Sequence, residues 1–231
     1  MKIRYGIITL NQFDWVVDKH LPSIDWSQID AVHLHLSNSL GLTYHGVQQS
    51  WWDVVQSIEP RVKSMLVTET PENLGVAPGW NLLCQTAFND GCDAIIIAND
   101  DIILESDTIS RVVQALNENS FVCYGAAGHN AFSFFAITRG LYEQVGEFDN
   151  QFWPAYYEDN DYAYRMKLLG LEMCYLDGSS FYHAGSATLG KYSEEEKAIH
   201  HHNFRKNTDY YIQKWGGLPN HEAYKTPFGG Q

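Results

Sequence analysis

The sequence predicts an α/β fold: a central, mostly parallel sheet with helices on both faces, plus a C-terminal helix. Three observations carry this. Strand-like and helix-like patterns alternate over residues 1–120, as expected of parallel strands joined by covering helices. The run Ala94-Ile95-Ile96-Ile97-Ala98 is apolar at every position, so the strand is expected to be buried on both faces. Near the end, Ser193 and Glu196 form an S-x-x-E capping box that opens a long helix, expected to reach Trp215 and stop at Gly216-Gly217.

The elements follow in order. Ile3 to Leu10 reads as a β-branched strand, Phe13 to Leu21 as a helix, and Asp30 to Leu36 as a strand alternating apolar and imidazole side chains at period two. Arg61 to Thr68 is a third strand, Pro78 to Asn89 a helix, and Asp93 to Ala98 the buried strand. An Asp107 cap precedes a helix whose apolar stripe is Ile109, Val112, Val113 and Leu116. Phe132 to Thr138 is a further strand, Phe148 to Tyr157 an aromatic-rich loop, and Tyr162 to Leu169 a helix stopped by Gly170. The last dozen residues read as a loose tail.

Length and charge bound the function. A chain of 231 residues suits one domain, and 45% hydrophobic with 14% aromatic residues suffices for a large core. With 28 acidic and 15 basic residues the formal charge is -13, which disfavours extensive nucleic-acid binding and suits a site for a divalent cation. Cys84, Cys92, Cys123 and Cys174 show no C-x-x-C spacing and read as free thiols. No stretch resembles a signal h-region or the roughly 20 apolar residues of a membrane span, so a soluble, cytoplasmic protein is expected.

Four constellations carry chemistry. Asn99-Asp100-Asp101 directly follows the buried strand, where open α/β sheets bind ligands, and paired carboxylates there suit Mg²⁺ or Mn²⁺; the same tripeptide is also good turn chemistry. Glu158-Asp159-Asn160-Asp161 opens a helix behind the aromatic residues Phe152, Trp153, Tyr156 and Tyr157, so a desolvated carboxylate there suits a general base, although acids also commonly cap helices. Asp161 and Arg165 are spaced to pair at i,i+4. His183 lies in Tyr182-His183-Ala184-Gly185-Ser186; alone, such a His is more often structural. The His200-His201-His202 run cannot grip one ion, because successive helical side chains point about 100° apart, and reads as a solvated or acceptor-facing segment. Asn73-Leu74-Gly75, leading through Gly79 to Asn81, is a loop entering a helix, where glycines admit a close ligand.

In this order the motifs resemble a GT-A (Rossmann-like) glycosyltransferase over nearly the whole chain. They are most similar to the inverting family 2 group that includes rhamnosyltransferases. The strand running into Thr9 and Asn11 resembles the first nucleotide-contacting loop, and Asn73, Gly75 and Asn81 resemble its N-x-G-x-x-x-x-x-N segment. Asn99-Asp100-Asp101 resembles the D-x-D-type motif; Arg139, Gly146-Glu147-Phe148-Asp149 and Glu158-Asp159-Asn160-Asp161 with Arg165 resemble the later signatures.

The resemblance implies one domain, with residues 1–104 as the nucleotide-sugar half and 105–231 as the acceptor half. It implies Mn²⁺ or Mg²⁺ on Asp101 and His183, with Asp159 as catalytic base assisted by Glu158. Thr9, Asn11, Asn38, Asn73, Gly75, Asn81, Asn99, Asp100 and Arg139 would bind the nucleotide sugar, and Trp153, Tyr156 and Asp161 would lie on the acceptor side. The chain departs from the family after the second strand, where Leu36-Ser37-Asn38-Ser39 replaces the usual base-reading Asp, and at Trp80, where a basic residue is common. A UDP-sugar is the first expectation for the donor, with other nucleotides open. The acceptor is a glycan, wall polymer, protein or modified nucleobase. Two other readings remain: a metal-dependent phosphohydrolase using Asp100, Asp101, Asp159 and His183, and a non-catalytic nucleotide-sugar-binding module.

Overall fold

The computed structural model describes residues 1–39, 43–45, 63–124, 131–176, 181–183 and 193–230. Its centre is a seven-stranded sheet in the order β3-β2-β1-β4-β7-β6-β8. These strands are β1 (Ile3–Thr9), β2 (Ala31–Ser37), β3 (Met65–Thr70), β4 (Ala94–Ala98), β6 (Phe121–Tyr124), β7 (Phe134–Thr138) and β8 (Cys174–Leu176). The pairs β1–β2, β2–β3, β1–β4 and β6–β8 are parallel, while β7 runs antiparallel to both β4 and β6. One reversed strand in an otherwise parallel sheet fits the expected class.

Helices cover both faces because the strands are apolar on both. On one face Tyr5, Ile7, Leu34 and Ile96 pack with Phe13, Val16 and Leu21 of a helical segment over residues 13–23 (α1), and with Ile109 and Val112 of α3 (Thr108–Ala115). On the other face Ile95, Ile97 and Phe135 pack with Leu83, Cys84 and Phe88 of α2 (Val76–Asn89). Leu141 of α4 (Arg139–Val145) and Tyr162 of α5 (Glu158–Leu168) join that second core. Segment α1 is not a plain α-helix; its middle, Val16–His20, is a π turn.

The C-terminal helix α6 (Glu194–Trp215) begins at the expected box: the Ser193 amide donates to Glu196 Oε2 at 2.7 Å and the Glu196 amide to Ser193 Oγ at 3.2 Å. It ends at Gly216, in the left-handed conformation with φ +77°. Two expectations are corrected. Asp107 makes no side-chain cap bond to α3. The C-terminal residues are not a loose tail: the amides of Ala223 and Tyr224 donate to Trp215 O, Tyr164 donates to Tyr224 O, and Tyr211 to Glu222.

A second, two-stranded sheet matters for the site. β5 (Ile102–Leu104) pairs antiparallel with β9 (Phe181–His183), placing Ile102 opposite His183. At three residues each, neither strand carries a periodic signal of its own.

Candidate active site

A cleft of about 410 Å³ opens at the carboxyl ends of β1, β2 and β4, where ligands bind in open α/β sheets. Ile8, Leu10, Ser37, Asn73, Gly75 and Asp100 line one end, and Pro154, Ala155, Tyr156 and His200 line the other. Asp101 and His183 face the cleft, as do Glu158 and Asp159. Four carboxyl groups and no Lys or Arg side chain line it among the described residues.

The acidic pair after β4 is fixed by its neighbours. The Asn99 amide donates to Ser133 O at 2.8 Å, and the Leu10 amide to Asp100 Oδ2 at 3.4 Å, joining the ends of β1, β4 and the turn before β7. Burial and the charge of Asp101 push the Asp100 carboxyl up to about 7. Asp101 Oδ1 lies 3.0 Å from His183 Nε2 because the β5–β9 ladder sets His183 beside the residue that follows Asp101.

Glu158 and Asp159 sit within the first turn of α5, which begins four residues earlier than the sequence pattern predicts. Glu158 is 5% exposed, its Oε2 has no hydrogen-bond partner, and burial together with the Asp159 charge raises its pKa well above the usual carboxylate value. Burial also raises Asp159, against a hydrogen bond from the Asn160 amide at 2.8 Å. The helix N-terminus favours the anion, so desolvation outweighs the dipole at both positions.

The loop before α2 forms one wall. Asn73 Oδ1 accepts from the Gly75 amide at 2.9 Å, and the Val76 amide donates to Pro154 O at 2.8 Å. Gly75 has φ +86°, and a Cβ there would stand 2.7 Å from Trp153 Cδ1. Trp153 thus packs over Gly75, outside the cleft lining.

Asn73, Gly75, Asn99, Asp100, Asp101, Tyr156, Glu158, Asp159 and His183 come together in the cleft. Thr9, fully buried, and Asn11 lie at the end of β1 without lining it; Asn38 is exposed with φ +58°, and Ser37 faces the cleft in its place. Three more of the expected site residues do not line the cleft. Arg139 is at the opposite edge of the sheet, donating to Phe88 O and Cys92 O, because antiparallel β7 ends where β4 begins, with Thr138 opposite Ala94. Asn81 is buried and pins the 148–150 turn through Phe148 N, Phe148 O and Asn150 Oδ1, each at 2.8 Å. Asp161 is fully buried and holds Arg165 (2.8 Å), Lys214 (2.6 Å) and Trp215 Nε1 (2.8 Å), so it ties α6 to α5 away from the cleft lining.

Of the two residues after the second strand that could meet a base, Ser37 and Asn38, it is Ser37 that lines the cleft, and Ser133 lines it with no expectation behind it. Ser37 carries a faint signal as the last residue of β2; Ser133 carries none, since only the β4–β7 register brings it beside Asn99.

The architecture matches that of S. aureus TarS. Residues 1–349 of TarS in complex with UDP-GlcNAc superpose with a TM-score of 0.62 at 12% identity, covering 92% of this chain and 66% of that one. The longer TarS structure gives 0.61 at 11% identity, covering 90% of this chain and 43% of that one, so the chain spans under half of its length. The chain has the GT-A fold. No family model matches the sequence. Over 97 residues, 41% of this chain, it is 33% identical to a galactofuranosyl glycosyltransferase of Leishmania donovani, but this is only 21% of that protein.

In the GT-A fold of this chain, the donor set suits one hard divalent cation. Asp101 Oδ1 and His183 Nε2 stand 3.0 Å apart at the cleft, and Mg²⁺ or Mn²⁺ is usually held by one or two protein groups plus substrate phosphates. Among the described residues no three His, Cys, Asp or Glu side chains converge on a cation site, so such an ion would complete its shell with ligand oxygens and water. Among them, too, no helix is long and apolar enough to cross a membrane.

Proposed function

We propose that the chain is a metal-dependent inverting glycosyltransferase that moves a sugar from a nucleoside-diphosphate sugar to an acceptor hydroxyl. One observation carries the reading. The Asp101–His183 pair and the Glu158–Asp159 pair line the same cleft at the carboxyl edge of the sheet. The UDP-GlcNAc and UDP complexes of TarS favour a UDP-sugar as donor, and the free cysteines suit the cytoplasm.

The lining supports a role for a cation. A nucleoside diphosphate is anionic, and the described lining offers it carboxyl groups without Lys or Arg. Mn²⁺ or Mg²⁺ on Asp101 and His183 would act as a Lewis acid toward the diphosphate. Asn73, the Gly75 backbone and Asp100 bind and orient the donor from the β1, β2 and β4 side. Asp159 takes the proton of the acceptor hydroxyl as the new bond from oxygen to the anomeric carbon forms. The bond from that carbon to the diphosphate oxygen breaks on the opposite face, which inverts the centre. Glu158, whose pKa burial raises, orients the base or the sugar.

The phosphohydrolase reading would need Asp159 to join Asp100, Asp101 and His183 as ligands, and no such convergence exists among the described residues. The deciding experiment is a thermal-shift panel of nucleotide sugars with and without Mn²⁺ on the wild type and on Asp101→Asn. The expected result is a Mn²⁺-dependent shift with a UDP-sugar that the variant loses. A wild type that no nucleotide stabilises, or a variant that keeps the metal-dependent shift, would overturn the reading.

A further inference from the structure

The acceptor end of the cleft is built around an unusual stretch of backbone. Tyr156 and Tyr157 are consecutive non-glycine residues with φ +78° and +74°, immediately before Glu158 and Asp159. Side chains with a Cβ rarely adopt this region, and such outliers persist only where surrounding structure fixes them. Here the clamp is Asn207 of α6, fully buried, whose Nδ2 donates to Ala155 O at 2.9 Å and to Tyr156 O at 3.3 Å. The result is a tyrosine ring held half-exposed at the cleft mouth rather than folded into the core.

A second ring meets it there from α6. His200 lines the cleft, with its ring 5.3 Å from that of Tyr156 at an interplanar angle of 72°. Phe204, one turn further along, stands 5.3 Å from Tyr156 on the same helix face and buttresses it. Burial and the neighbouring His201 lower the pKa of His200, so it presents a neutral imidazole at neutral pH. Among the described residues the acidic groups that line this end are Glu158 and Asp159, and no Lys or Arg lines it. An anionic acceptor would meet carboxylates without a compensating cation, whereas a ring with an apolar face and several hydroxyls would match a tyrosine ring and an imidazole.

We propose that Tyr156 and His200 form the acceptor subsite, and that it takes an uncharged sugar ring. This rests on the glycosyltransferase reading above and narrows it. The Tyr156 ring packs on the sugar face. The His200 imidazole hydrogen-bonds a hydroxyl beside the one that Asp159 deprotonates. His200 is therefore a specificity-determining residue for the acceptor.

The test uses the full chain with Mn²⁺ and the UDP-sugar that gives the largest thermal shift. Neutral methyl glycosides and disaccharides are compared with the matching sugar phosphates as acceptors, for the wild type, Tyr156→Ala, Tyr156→Phe, His200→Ala and His200→Gln. We expect transfer to neutral glycosides. Loss of the stacking ring or of the imidazole hydrogen bond should raise acceptor KM by about tenfold in each alanine variant. Tyr156→Phe and His200→Gln should recover most of it, and the nucleotide-induced thermal shift should stay as in the wild type. Preference for sugar phosphates, transfer to neither class by a wild type that binds the donor, or an unchanged acceptor KM in His200→Ala would overturn the proposal. A wild type that no UDP-sugar stabilises would instead sink the donor reading on which it rests.

Discussion

The Asp101 carboxylate and the His183 imidazole lie 3.0 Å apart although 82 positions separate them in the chain. The link is the ladder in which Ile102 faces His183. The pair is therefore pre-organised by backbone pairing, not by the flexibility of two surface side chains. Replacing His183 by Ala leaves Asp101 in place but removes the nitrogen donor. Mn²⁺ titrations followed by nucleotide thermal shift should then show metal affinity weakened by about 10- to 100-fold, the range seen when support of a metal site is lost. An unaltered Mn²⁺ dependence would remove His183 from the site.

Glu158 gives a prediction with a definite sign. Its pKa is raised in the folded chain by burial and by Asp159, so the folded state binds the proton more tightly than the unfolded state. Stability therefore falls as pH rises from the unfolded carboxylate value toward the folded one, and the penalty persists above that. Glu158→Gln removes this penalty and should raise Tm at pH 7 while matching the wild type near pH 4. Each 1 kcal/mol relieved corresponds to roughly 2–4 °C in a domain of this size. Asp159→Asn, by contrast, should abolish transfer. Thermal melts across pH 4–8 check the first claim, and a Glu158→Gln variant less stable than wild type at pH 7 would count against it.

Local features of the site were legible in the sequence. The β4 run ending in Asn99-Asp100-Asp101, the Glu158-Asp159 turn and the Ser193–Glu196 box each express their structure within a few residues. What was not legible depends on strand direction and register. The resemblance implies a nucleotide-side role for Arg139, yet β7 is the reversed strand and delivers it to the far edge. Asn81 and Asp161 matched motif positions, but their partners, the 148–150 turn and Lys214 with Trp215, are fixed by helix packing. Polar residues that secure the walls of a site look the same in sequence as those that touch its ligand.

Lys214 shows how those walls are secured. Its ammonium lies 2.7 Å from Asp149 Oδ2 and 2.6 Å from Asp161 Oδ1, and the residue is only 6% exposed. Burial alone would raise the pKa of Asp149, but hydrogen bonds from Lys214 and the Gln151 amide bring it below the usual value. That contribution to stability is present above the unfolded carboxylate pKa and is lost as pH falls through the folded one. Lys214→Met leaves the half-buried Asp149 without a cation and the buried Asp161 with Arg165 alone, a loss of the kind that costs about 3–5 kcal/mol. Tm at pH 7 should drop by about 10 °C, and the gap to the wild type should narrow below pH 4. A drop of only a degree or two at pH 7 would show that α6 is held by its apolar contacts instead.

Gly75 couples one wall of the cleft to the loop that carries Tyr156. Its φ of +86° already disfavours any side chain, and an added Cβ would come within 2.7 Å of Trp153 Cδ1 and 3.2 Å of Pro154 O. Pro154 O accepts the hydrogen bond that starts α2, so the loop cannot move away without breaking it. Gly75→Ala must therefore displace the indole, shift the 153–155 segment and disturb the wall continuous with Tyr156. The cost should be about 1–3 kcal/mol, read as a fall in Tm. Intrinsic tryptophan fluorescence should shift as Trp153 leaves its seat, and nucleotide stabilisation should weaken in the same variant. An alanine variant that keeps wild-type fluorescence and nucleotide response would show that the wall yields without consequence, and that Gly75 does not govern the shape of the cleft.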